Sequence, residues 1–138
     1  MTFPPRSIPL PDSKRDGKIR IGISWQGSPT YSTDHFRSTM LETFAPLLQN
    51  PWMELYSLHV GEAAQQLHDS EGSKQIVDTS PMQSDLADAA AIIQQLDVVL
   101  SVDTAMLHLA ASMGVPTWGL LSQLGDWRWL DQNRLDSP

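Results

Sequence analysis

Apolar positions along this chain change their period several times, from the tight alternation of strands to the three-and-four spacing of helices and back. Ile19-Arg20-Ile21-Gly22-Ile23-Ser24-Trp25 is short and β-branched and predicts a first strand. Gln26 to Ser38, containing Gly27 and Pro29, follows as a long polar loop. Leu41, Phe44, Ala45 and Leu48 then recur at helical spacing, and Asn50-Pro51 stops the run. Met53 to Leu58 predicts a second strand, Glu62 to His68 a short helix, and Gln75 to Asp78 a short third strand.

In the second half, Ser84 is positioned to cap a helix whose apolar face is Leu86, Ala89, Ala90 and Ile93. Val98-Val99-Leu100-Ser101-Val102 is almost continuously apolar, as expected of a parallel strand covered on both faces. Asp103 opens a further helix with Met106, Leu109, Ala110 and Met113 on one face, and Gly114 is its stop. Pro116 to Leu121 predicts another strand, and Asp126-Trp127-Arg128-Trp129-Leu130 a brief helix. Strands alternating with helices at these spacings predict βαβ units, hence an α/β fold with a Rossmann-like parallel sheet flanked by helices. Ligands of such sheets sit at the carboxyl ends of the strands, so the loops after Trp25, Leu58, Thr79, Val102 and Leu121 are the ones to inspect.

Ahead of this pattern, residues 1–18 read as a Pro-rich and charged linker, with Pro4, Pro5, Pro9 and Pro11 favouring extended backbone. Residues 19–138 then form one domain, as befits a chain of 138 residues. The formal net charge of -7 argues against a duplex-binding surface, which needs clustered basic side chains. It leaves room for a local phosphate site made of backbone amides. The chain has no cysteine, which removes disulfides, thiolate-bound zinc and thiol nucleophiles from consideration. The first eleven residues contain no long apolar run, so neither a signal peptide nor a membrane span is expected there, and a cytoplasmic location is.

The strongest chemical signal is the junction from Val98 to Ala111, where a buried strand feeds directly into a helix start. The first amides of such a helix, backed by its dipole, favour an anion such as a pyrophosphate. Thr104 offers a hydroxyl, Ala105 is small enough for close approach, and His108 lies one turn beyond Thr104 on the same face. The alternative stays open that Asp103 or Thr104 only caps the helix and His108 is a core histidine. Ser24, Gln26 and Ser28 offer polar groups near the end of the first strand, and Arg37 is a cation in the same loop. Glu62, after the second strand, stands where a carboxylate can bind ribose hydroxyls, although a helix-start charge is the plainer reading. There is no Gly-x-Gly-x-x-Gly, no Gly-Lys-Ser/Thr, no Asp-x-Asp and no pair of histidines four apart. Dehydrogenase, P-loop and metal-dependent chemistry are therefore not indicated, and no cofactor is expected.

Ser101-Val102-Asp103-Thr104-Ala105 to His108-Leu109-Ala110, followed by Gly114-Val115-Pro116-Thr117-Trp118, resembles the donor-binding motif of heptosyltransferase-like, family 9-like glycosyltransferases. The likeness is to the bacterial branch in which such a domain follows tetratricopeptide repeats. Ile23 to Pro29, Arg37-Ser38 and Asp126 to Leu130 are further landmarks in matching order, so the resemblance runs from about Ile19 to Pro138. It implies the C-terminal lobe of a two-lobed GT-B enzyme, here expected to be truncated at its C-terminus and inactive alone. The donor would be a nucleotide-diphosphate sugar. The amides around Thr104 and Ala105 would meet its diphosphate, Asp103 the sugar hydroxyls, and His108 the diphosphate or the motif itself. Heptosyltransferases proper carry Gly where Ala105 stands, which points away from heptose as the sugar and towards the repeat-linked branch. The expected partners are the donor, an N-terminal acceptor lobe and tetratricopeptide repeats. The competing class is a non-catalytic sugar-nucleotide-binding module used for sensing or scaffolding.

Overall fold

Parallel pairing governs every strand contact in the computed structural model, which describes residues 6–10, 17–27, 38–69 and 71–121. The strands are β1 (Ile19–Ser24), β2 (Met53–Ser57), β3 (Val77–Asp78), β4 (Val98–Val102) and β5 (Thr117–Leu120). Their order in the sheet is β3-β2-β1-β4-β5, so β1 is the middle strand and β4 lies inside the sheet, paired on both sides. Among the described residues four α-helical segments accompany them: α1 (Ala45–Leu48), α2 (Glu62–Gln65), α3 (Leu86–Ile93) and α4 (Ala105–Ser112). The α/β, Rossmann-like class expected from the periodicity is the one found.

Each face of the sheet has its own core. On one, Tyr56, Leu58 and Val99 meet Ala89, Ala90, Ile92 and Ile93 of α3 and Leu109 and Ala110 of α4. On the other, Ile21, Ile23, Trp25 and Leu55 meet Leu41, Phe44, Leu67 and Ile76. A fully buried aliphatic side chain such as Ile92 or Ile93 contributes roughly 1.5–3 kcal/mol. Gly22 lies on the α3 side, where a Cβ would stand 2.5 Å from Leu96 Cδ1 and 3.0 Å from Leu58 Cδ1. Its missing side chain lets the loop after α3 seat on the middle strand. The double cover expected for β4 is uneven, because Val99 is closed off while Val98 and Leu100 are half-buried.

Four local expectations need correction. The run from Leu41 to Leu48 is a 3-10 turn (Leu41–Phe44) passing into α1, with Pro46 in the first turn of α1. Pro46 has no N–H to bond back four residues, so one continuous α-helix would lose a rung there. Likewise α2 tightens into a 3-10 turn over Gln66–His68. The cap of α3 is Asp85, not Ser84: the Asp85 carboxylate accepts from Asp88 N–H at 2.9 Å. Ser84 sits one residue too early and donates its N–H and hydroxyl to Asp88 Oδ2 instead. Leu86, expected on the buried face, is 47% exposed, while Ala89, Ala90 and Ile93 are buried as expected.

Within the stretch expected as a linker, residues 6–10 rest on the domain. Arg6 Nη1 donates to Asp85 at 2.9 Å and to Asp88 at 2.5 Å, Ile8 C=O accepts from Gln95 Nε2 at 2.7 Å, and Leu10 is buried in the core. The end of α4 follows its sequence signal. Gly114 takes φ 77°, Val115 N–H reaches Ala110 C=O at 3.1 Å and Gly114 N–H reaches Ala111 C=O at 3.0 Å. These two bonds satisfy carbonyls that the helix leaves open at its end. Residues Asp126 to Leu130, read as a brief helix, lie outside the described residues.

Candidate functional site at the switch point of the sheet

From β1 the chain moves outward to β2 and β3, then returns to the other side of β1 for β4 and β5. The loops leaving β1 and β4 therefore run in opposite directions and open a crevice between them, the usual ligand position in such sheets. Ser24 and Ser101 are register partners across this gap, and both are buried.

A directed chain of hydroxyls lines the crevice floor. Ser101 Oγ donates to Val102 C=O at 2.7 Å, which commits its single proton. It therefore accepts from Thr104 Oγ1, 2.9 Å away. Thr104 now has only lone pairs left, so in its 3.5 Å contact with Ser24 Oγ only Ser24 can donate. Thr104 occupies the N-cap position of α4 with extended φ -130° and ψ 168°, yet its side chain makes no bond to the amides of the helix. The first intrahelical bond runs from Leu107 N–H to Thr104 C=O at 3.1 Å. The amides of Ala105 and Met106 precede it, and the inward-turned hydroxyl does not cap them; the helix dipole is aligned behind them. Ala105 itself is exposed.

Beside this end, His108 Nε2 donates to Asp103 Oδ1 at 2.9 Å. Asp103 is 6% exposed, whereas the His108 side chain is 42% exposed. That exposure is incompatible with a core histidine. The buried carboxylate instead orients a ring that reaches solvent.

His59, which directly follows the apolar run of β2, was not singled out by sequence. Trp25 N–H donates to its Nε2 at 3.0 Å and Gln26 N–H at 3.3 Å, while Ser24 Oγ, also 3.3 Å away, can give its single proton to this nitrogen or to Thr104 Oγ1 but not to both. A backbone N–H can only donate, so Nε2 carries the lone pair and the neutral ring carries its proton on Nδ1. The rings of His59 and Trp25 meet edge-on with centroids 4.2 Å apart. Burial pushes the His59 imidazole down to about 4. Its only sequence signal was its place at a strand's carboxyl end, a signal shared by every residue of that loop.

The remaining candidates are distributed unevenly. Gln26 Oε1 accepts from Gln66 Nε2 at 2.8 Å, and Gln66 Oε1 accepts from Trp25 Nε1 at 3.1 Å, so Gln26 helps brace the loop. Glu62 is exposed in the first turn of α2, after the positive-φ Gly61. Ser28 and Arg37 lie outside the described residues, as do Trp127 and Trp129. Among the described residues, no group of three or more His, Asp or Glu side chains is arranged to hold a metal ion. No helix among them is long and apolar enough to cross a membrane.

Residues 59–125 match the family model Glycosyltransferase family 9 (heptosyltransferase). The matched segment holds His59, Glu62, Ser101, Asp103, Thr104, Ala105 and His108, and thus most of the crevice. The solved structure of E. coli ADP-heptose lps heptosyltransferase II is similar in fold, with a TM-score of 0.54 and 17% sequence identity. The match covers 78% of this chain and 34% of that one, so the chain spans about a third of that enzyme's length. No curated protein matches the chain.

Proposed function

We propose that this chain is the donor-binding lobe of a GT-B glycosyltransferase and holds a nucleotide-diphosphate sugar for transfer to an acceptor. The observation that carries the reading is the diverted cap of α4. A helix start at the switch point has its N-cap hydroxyl turned onto Ser101, leaving the Ala105 and Met106 amides to an anion. The family 9 match over the same residues supports a sugar nucleotide as the ligand.

In this reading the amides of the first turn stabilise the charge that develops on the departing diphosphate, as fixed donors can without reorganising. His108 presents its ring to the same group. Asp103, buried and bonded to His108, orients that ring and meets the sugar hydroxyls. Arg37 supplies a cation to the diphosphate, Ser28 a polar contact beside it, and Glu62 meets the ribose hydroxyls. Transfer also needs a base at the acceptor hydroxyl. We assign that base to an N-terminal acceptor lobe, with tetratricopeptide repeats as the further partner and the cytoplasm as the setting. The chain alone then binds donor but does not turn it over.

The test is calorimetric titration of the chain with ADP, UDP and their sugars, alongside Ala105→Pro. Proline is well tolerated at the first helical position, and the extended Thr104 backbone already suits a following proline. This variant therefore deletes one amide donor while sparing the helix. The expected result is unchanged melting with diphosphate affinity lowered about tenfold. Equal affinity in both proteins removes the helix start from the site.

A further inference from the structure

His59 joins parts of the crevice that the strand order alone does not connect. It comes from the loop after β2, yet Nε2 takes the backbone N–H groups of Trp25 and Gln26, which belong to the loop after β1. Ser24 Oγ stands 3.3 Å from the same nitrogen and 3.5 Å from Thr104 Oγ1. One ring thus touches three consecutive residues of the β1 exit, and through Ser24 it abuts the start of α4.

The rest of this loop is tied in the same direction. Gln66 closes a second clasp by accepting from Trp25 Nε1 and donating to Gln26 Oε1. Gly27 N–H donates to Ser38 Oγ at 3.1 Å, and Thr39 N–H to Trp25 C=O at 2.7 Å. Within the described part of this loop, His59 Nε2 is the acceptor on which two main-chain donors converge. Two adjacent amides aimed at a single lone pair fix the backbone dihedrals between them, which a lone hydrogen bond does not.

We propose that His59 is a positioning residue of the donor site, holding the end of β1 in the geometry that sets Ser24 against Thr104 at the start of α4, where the Ala105 and Met106 amides meet the diphosphate. This rests on the donor-binding reading above. What His59 contributes is preorganisation: with the loop already ordered, the ligand does not bear the entropy of ordering it. The requirement is an acceptor at that point, not a basic ring, so a side chain of similar reach with a carbonyl oxygen should substitute. Glutamine meets it. Leucine fills the space but cannot accept.

The experiment uses the full chain with His59→Leu and His59→Gln, each titrated with ADP and UDP while amide exchange is followed at Trp25 and Gln26. His59→Leu is expected to bind the diphosphate about tenfold more weakly and to lose protection at both amides. His59→Gln should restore protection and bring affinity back to within about threefold of wild type. If His59→Leu does not fold, His59→Asn replaces it, because its oxygen stops short of the two amides. Wild-type affinity in a folded variant that has lost amide protection overturns the positioning role and leaves His59 as a stabilising contact. Failure of the wild-type chain itself to bind any diphosphate or its sugar overturns the donor-site reading, and the positioning role with it.

Discussion

Thr104 turns its hydroxyl away from the helix that it begins and onto Ser101, three residues earlier, at 2.9 Å. A threonine at this position ordinarily accepts from the second or third amide of its own helix. Here Ser101 has spent its proton on Val102 C=O, so Thr104 must be the donor and presents only lone pairs outward. Lone pairs repel phosphate oxygens. The hydroxyl thus serves the floor of the crevice, and the amides beyond it serve the ligand.

Thr104→Val separates those two tasks. The isosteric change removes the donor to Ser101 and should cost about 1 kcal/mol of stability. Diphosphate affinity should stay within about threefold, since the amides remain. Urea unfolding and calorimetry on the same sample check both numbers. A large affinity loss with intact stability would make the hydroxyl a direct ligand instead.

His108→Ala removes a half-exposed ring held by a buried carboxylate. Loss of a charge-assisted hydrogen bond should weaken diphosphate binding by about 1–3 kcal/mol, with a smaller effect on folding. The reverse pattern, a marked fall in melting temperature with affinity kept, takes His108 out of the site.

Stability should fall on mild acidification because of His59. Its folded value of about 4 lies below the ordinary 6.5, so the unfolded chain takes up this proton first as the pH drops. The contribution is flat above about pH 6.5, turns against folding between there and about pH 4, and levels off below. Its full size is roughly 3 kcal/mol. Asp88 acts in a lower window: bonds from Ser84 and Arg6 hold its carboxyl well below the usual range, so the stability that it adds is lost only on stronger acidification. Urea unfolding of wild type and His59→Gln between pH 7 and pH 4.5 isolates the histidine. Parallel pH profiles for the two proteins would refute this assignment.

Gly22→Val should destabilise the domain by about 1–3 kcal/mol, the usual cost of overpacking. The first added carbon already meets Leu96 and Leu58, whose side chains are buried and have little room to move. Thermal unfolding measures the loss. An unchanged melting temperature would mean that the loop after α3 is not seated on β1 as described.

The chain's own sequence determined the class of fold. Switches between strand and helix spacing, the apolar run at Val98 to Val102 and the stop at Gly114 are local signals, written within a few residues of the structure they cause. The same locality made Asp103 to His108 legible as a candidate site, because a strand entering a helix start can be read along the chain. Finer local choices were harder to read. Asp85 rather than Ser84 caps α3 because the one residue with extended backbone before the helix decides which side chain faces Asp88 N–H. Only the tertiary structure decided how the site is assembled. Strand order placed β1 beside both β2 and β4, bringing Ser24 to Ser101 and Thr104 from about eighty residues away and His59 from thirty-five. Such contacts depend on which strands become neighbours, and no periodicity within a single segment encodes that. The direction of the Thr104 hydroxyl is likewise fixed by a proton that Ser101 had already given to Val102.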